Sequence, residues 1–176
     1  MSLFLLYLIV LRLTHIAAGA LWVGAAVAYF LFFGPTVKGL GPAGPKFMQE
    51  LVGKHRYPLF MNTASLLAIL SGLGLLWFAS GGLNGTWFTT GAGLGFTIGS
   101  LAGLAAFGVG FFGIRPRAQR LGALGAAVAA AGGPPTPEQG AELGRLDAEI
   151  HFYERWDVLL LVVSLVMMAT ARYWIF

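Results

Sequence analysis

Residues 3–33 read LFLLYLIVLRLTHIAAGALWVGAAVAYFLFF. The stretch holds one arginine, Arg12, one histidine, His15, and no acid. A helix of about 20 apolar residues crosses a hydrocarbon layer of about 30 Å. This run is therefore long enough to span a bilayer and then tilt or protrude. Three further runs share its character, at about 58–80, 92–114 and 156–175. Together they predict an all-α fold, a polytopic membrane four-helix bundle forming a single integral membrane domain over 1–176. No basic cluster precedes the apolar start, and Arg12 follows it, so the first segment is expected to be a retained helix and not a cleaved signal.

Composition sets the outer limits. Of 176 residues, 57% are hydrophobic and only 10% charged, far from the balance of a soluble domain. The absence of cysteine removes disulfides, thiolate metal ligands and cysteine nucleophiles. The formal net charge of +4 sits beside membrane segments, which reads as orientation and not as nucleic-acid binding. Lys38, Lys46, Lys54 and Arg56 face only Glu50 in the first loop, and Arg115, Arg117 and Arg120 follow the third segment. The second loop, 81–90, is uncharged and carries Trp87 and Phe88 as interfacial anchors. The positive-inside rule then places the first and third loops in the cytoplasm and both termini outside, with the bacterial inner (plasma) membrane as the expected location.

The loops have predicted structure of their own. Gly41-Pro42 and Gly44-Pro45 break the first loop, after which Lys46 to Lys54 reads as a short interfacial helix with Phe47, Leu51 and Met48 toward lipid. Pro116 is expected to kink a helix that continues through the Ala-rich 117–131. Thr136-Pro137-Glu138-Gln139 is a capping-box pattern, from which a helix should run into the fourth segment. Helices 3 and 4 should thus extend into the cytoplasm as a hairpin over about 117–155, with Leu143, Leu146 and Ile150 as its seam.

Ionisable residues deep in an apolar segment are costly, which makes Arg12 and His15 the leading functional candidates. Three residues apart, they are neighbours on the helix surface, and Gly19, Trp22 and Ala26 continue inward. A neutral imidazole ligates haem iron or copper. An adjacent arginine holds a haem propionate or another carboxylate. The competing reading makes His15 a structural residue bonded to a backbone carbonyl, Ser or Thr of a neighbouring helix, with Arg12 snorkelling to the outer interface. A secondary metal set is His55, His151 and Glu154, at similar predicted depth to Glu50 and Asp157. Glu154 and Asp157 are expected to pair with Arg56, Arg115 or Arg155. Gly91, Gly95, Gly99 and Gly103 recur every fourth residue, for close helix packing or for room beside a flat cofactor. Met167 and Met168 are adjacent and point apart, which favours packing over a copper relay. The sequence holds no Walker motif, no HExxH and no dinucleotide fingerprint following a strand.

Arg12-Leu13-Thr14-His15 followed by Ala18-Gly19-Ala20-Leu21-Trp22-Val23-Gly24 resembles the first helix of CopD-like membrane proteins, with their RxxHxxxxxxWxG opening. The order of parts also resembles HemJ-type protoporphyrinogen oxidases. The CopD-like resemblance implies copper handling. The HemJ-type resemblance implies haem b or porphyrin binding with His15 as axial ligand. The third segment has no Lys, Arg or His before Arg115, where HemJ-type proteins carry polar or basic residues, so the resemblance bears on haem binding more than on porphyrinogen oxidation. The resulting expectation is a haem b- or metal-binding membrane protein, in electron transfer or a haem-dependent oxidoreductase. Its partners would be the lipid bilayer and a membrane protein or a second copy. A cofactor-free accessory subunit of a membrane complex and a copper transporter are the alternatives.

Overall fold

The computed structural model describes residues 2–176, the side chain of Pro42 excepted. Four helices are long and apolar enough to cross a membrane: α1 (Leu3–Gly39), α3 (Tyr57–Ala79), α4 (Gly91–Ala131) and α5 (Pro137–Tyr173). A short α2 (Gly44–Gln49) lies in the first loop and continues through a wide turn at Glu50–Lys54. The fold is an all-α four-helix membrane bundle, as the apolar runs predict.

Two helices, α1 and α4, run past the C-terminal ends of their apolar stretches, and the same device allows both. In α1 a π turn at Tyr29–Phe33 directs the Gly34 N–H to the Tyr29 carbonyl, just before Pro35. In α4 a π turn at Val109–Ile114 directs the Arg115 N–H to the Gly110 carbonyl, just before Pro116. A proline lacks the N–H that would reach back one turn and its ring crowds that turn. The widened turn accommodates the ring without ending the helix. The first helix therefore reaches Gly39 and not 33. At Pro116, where a kink in a continuing helix is expected, a π turn precedes the proline inside one continuous helix of 41 residues.

The bundle consists of two tight pairs. α1 runs antiparallel along α3, and α4 along α5, and the pairs touch each other less extensively, α1 against α5 and α3 against α4. Small residues make each close approach possible. Gly74 lies under Leu11 of α1. In the second pair, Gly91, Gly95, Gly99 and Gly103 of α4 lie in turn against Trp174, just past α5, and against Ala171, the Met167–Met168 pair and Ser164 of α5. A Cβ at Gly95 would stand 2.7 Å from the Ala171 Cβ. The glycine ladder is thus a packing face. The core joining the pairs is small as well: Ala18, Trp22, Ala26, Ala64, Ala68, Ala106 and Leu161. Large side chains such as Leu70 (63% exposed) face outward. This inside-out distribution suits lipid, where packing rather than the hydrophobic effect holds helices together.

At about 1.5 Å per residue, α4 and α5 are nearly twice as long as a bilayer's hydrocarbon core. Their surplus forms the expected hairpin. The Thr136 side chain accepts from the Gln139 N–H and the Gln139 side chain accepts from the Thr136 N–H, a complete capping box. Leu146 (2% exposed) and Ile150 are buried in the seam and Leu143 borders it. Arg117 Nε donates to Glu149 Oε2 at 2.6 Å, and its guanidinium lies 4.3 Å from the Tyr153 ring centre. Arg145 pairs with Glu142 and Glu149 along the same helix. Lys38 reaches Asp147 at 3.0 Å and ties the extension of α1 to the hairpin.

Candidate functional site

His15 enters the seam between α1 and α3 at a point where α3 has no side chain. A Cβ at Gly72 would lie 2.7 Å from the His15 Cε1 and 2.9 Å from its Nδ1. Because position 72 is glycine, the ring reaches the α3 backbone, and Nδ1 lies 2.7 Å from the Ala68 carbonyl oxygen. A carbonyl only accepts, so Nδ1 carries the proton and donates. In the neutral ring Nε2 is then left as the lone-pair nitrogen. Ser71 Oγ donates to the same carbonyl at 3.2 Å, and to that of Leu67.

The ring borders a cavity of about 240 Å³ walled by all four long helices. His15, Gly19 and Trp22 line it from α1, and Ala68 and Gly72 from α3. Gly99, Ser100 and Gly103 line it from α4, and Leu161, Ser164 and Met168 from α5. The lining is almost wholly apolar; Ser164 is already engaged, donating to the Gly99 carbonyl at 2.8 Å. The cavity lies in the seam between the helix pairs. Ile16 and Leu165 border it on the α1–α5 side, and Leu73 and Leu104 on the α3–α4 side. All four also reach the lipid-facing surface. A ligand larger than the void would enter by parting this seam.

The structure brings together His15, Gly19 and Trp22 and leaves Arg12 out. Arg12 is exposed, does not line the cavity and makes no ion pair among the described residues. Three residues turn a helix by about 300°, so the two side chains diverge by about 60°. That is enough to send one inward and the other to the lipid face. Ala26 continues the inward line but belongs to the core beneath the cavity.

The second candidate set does not assemble. No group of three or more His, Asp or Glu residues able to hold a metal occurs among the described residues. His55 is exposed in the turn before α3. His151 stacks on Phe30, ring centres 5.5 Å apart, and its Nδ1 lies 3.5 Å from Glu154 Oε2. Burial, and then the nearby Lys38 and Arg155 cations, hold the His151 ring below its ordinary value. Phe30 is about 22 Å along α1 from His15, so His151 and the cavity are separate places. The arginine partners expected for Glu154 and Asp157 are also absent: neither pairs with Arg56, Arg115 or Arg155, and Asp157 is buried, 6% exposed, with no ion pair among the described residues. All three of these arginines are exposed, Arg115 lying over Phe111, whereas Asp157 is buried and Glu154 half-buried beside His151. Tyr29 and Tyr57 stack at this end, 5.7 Å apart, and the Tyr57 hydroxyl donates to the Ala25 carbonyl. Met48, expected toward lipid, turns inward to accept from the Tyr29 hydroxyl.

Residues not singled out from sequence complete the site: Ala68, Gly72, Ser100 and Ser164. The small-residue run Ser71-Gly72-Leu73-Gly74 was the available signal, since it marks where α3 accepts a neighbour closely. Met167 and Met168 pack over Gly99, as the packing reading expects, and Met168 also borders the cavity. No family model, curated protein or solved structure matches the chain.

Proposed function

We propose that this integral membrane protein binds a flat, membrane-soluble cofactor of the haem b class in the cavity between its helix pairs, and serves in electron transfer. The observation that carries the reading is the His15–Ala68 hydrogen bond. A ligating histidine is commonly oriented by donating its other ring N–H to a carbonyl. Here that bond fixes the ring and leaves Nε2 as the nitrogen that would hold such a group. Beside the ring, Gly19 presents no side chain and has open space next to it, and Trp22 supplies an indole; Gly72, Gly99 and Gly103 are already covered by His15, the Met167–Met168 pair and Ser164. Small-molecule sites usually occupy about 300–1,000 Å³. The void of about 240 Å³ therefore takes part of a macrocycle, and the rest displaces the seam residues. The resemblance to HemJ-type proteins supports the same reading, whereas the CopD-like resemblance of the first helix points to copper.

The chemistry such a group supplies when bound is one-electron exchange. For such a group the chain would contribute the His15 Nε2 as ligand, an apolar pocket and a fixed ring orientation. Arg12 stands four residues before the seam residue Ile16, one turn away on the same face, and from there would meet a carboxylate at the mouth. The basic first and third loops support a cytoplasmic hairpin, with both termini outside a bacterial inner membrane.

The absorption spectrum of the detergent-purified chain tests this. A Soret band should accompany the wild type, vanish in His15→Ala and persist in His55→Ala and His151→Ala. Arg12→Ala should weaken retention without abolishing it. A wild type that takes up no haem on reconstitution, with one featureless spectrum for all three histidine variants, would leave the second reading in front. In that reading the protein is a cofactor-free accessory subunit. The bond that satisfies His15 within the bundle is its supporting observation, since the bond ties α1 to α3 without any ligand.

A further inference from the structure

Where α4 leaves its apolar stretch, Phe111, Phe112, Arg115, Pro116 and Gln119 border a shallow open groove of about 340 Å³. This groove is remote from the His15 cavity and shares no residue with it. Its one charge is Arg115, and no carboxylate lines it. The nearby Arg117 and Arg145 are neutralised by Glu149 and Glu142. Arg115 has no ion pair or hydrogen bond among the described residues. Its guanidinium carbon instead lies 5.0 Å from the Phe111 ring centre. That contact holds one face of the plane and leaves the N–H donors at its edge unused.

The aromatic side of the groove runs toward the bilayer. Phe107 stacks on Phe111, centres 5.9 Å apart, and Phe112 meets Phe111 edge-on at 5.1 Å. Phe112 is 74% exposed. The π turn at Val109–Ile114 lies just ahead of Pro116, so helix and charge continue past the apolar run without a break. An unpaired guanidinium immediately above an exposed aromatic track matches a ligand with an anionic phosphate at one end and acyl chains below it. A soluble phosphate would use the charge and leave Phe111 and Phe112 without a role.

We infer that this groove is a binding site for an anionic phospholipid of the surrounding leaflet, its phosphate held by the Arg115 fork and its acyl chains along Phe111 and Phe112. A cation near an anionic membrane surface typically contributes about fivefold in association. The experiment is spin-label resonance on the full chain in phosphatidylcholine vesicles, comparing spin-labelled phosphatidylglycerol with spin-labelled phosphatidylcholine. The wild type should favour the glycerol lipid, and Arg115→Gln should lower that ratio by about fivefold. Arg115→Lys, which keeps charge but loses the planar fork and the stacking, should fall between them. Arg172→Gln, the same charge change near the C-terminal end of α5 and at the opposite end of the bundle, should leave the ratio unaltered. Phe112→Ala should reduce the motionally restricted fraction of both lipids, and 10 mM inorganic phosphate should not compete. Equal association of the two lipids, a ratio unmoved by Arg115→Gln, an equal loss in Arg172→Gln, or full competition by phosphate would each overturn the assignment.

Discussion

Replacing Gly72 with alanine tests whether the His15 ring is held by the α3 backbone. The new methyl would stand 2.7 Å from Cε1 and 2.9 Å from Nδ1, while ordinary contact begins near 3.4 Å. The ring must therefore retreat by about 0.7 Å or turn out of its rotamer, and a 2.7 Å hydrogen bond does not survive that displacement with good geometry. Losing the bond costs about 1 kcal/mol. An off-rotamer side chain costs about 0.5–1.5 kcal/mol more. Alanine returns about 1 kcal/mol over glycine in a helix. The net effect is a loss of about 1 kcal/mol. Gly19→Ala is the matched control, because its methyl meets nothing within 4 Å. It should gain up to about 1 kcal/mol from propensity alone. The two variants should thus differ by about 2 kcal/mol in reversible unfolding from mixed micelles. The Nδ1–H resonance of His15 should move in the first variant only. Variants that agree within about 0.5 kcal/mol, with an unshifted resonance, would refute the argument.

Two further outcomes follow from the hairpin and the loops. The Arg117 hydrogen bond, followed by the Arg145 charge, holds Glu149 below its ordinary 4.5, and Arg145 does the same for Glu142. A folded value below the unfolded one gives stability that is complete above the ordinary carboxylate range and lost as pH falls through the depressed values. Spin labels at Ala127 and Leu143 should therefore give a narrow distance distribution at pH 7 and a broad one at pH 3, whereas a distance unchanged at pH 3 would show that the ion pairs do not clasp the hairpin. For orientation, a reporter fused after Phe176 should read as external and one inserted near Gly133 as cytoplasmic; the reverse pair of results would invert the assigned sidedness.

The sequence by itself determined the elements. Four apolar runs of spanning length admit only helices, because every backbone group in lipid must be satisfied within its own segment. The Thr136–Gln139 pattern placed the start of α5 because capping is local chemistry, complete within four residues. Angular position was legible as well, since the 3.6-residue period sets Gly19 and Trp22 near His15 on any straight helix. What covers each angle was decided only by the tertiary structure. In a soluble bundle the polar face marks the outside, but here Leu70 on the surface and Leu161 in the core are the same residue type. The pattern therefore does not say which stripe meets a neighbour. The divergence of Arg12 from His15, the Ala68 carbonyl 53 residues away and the acids turned from their expected arginines all depend on which helices pair. That pairing follows from close approach at Gly72, Gly95 and Gly99, where packing forces of short range act. Such forces exist only once two backbones are already in contact.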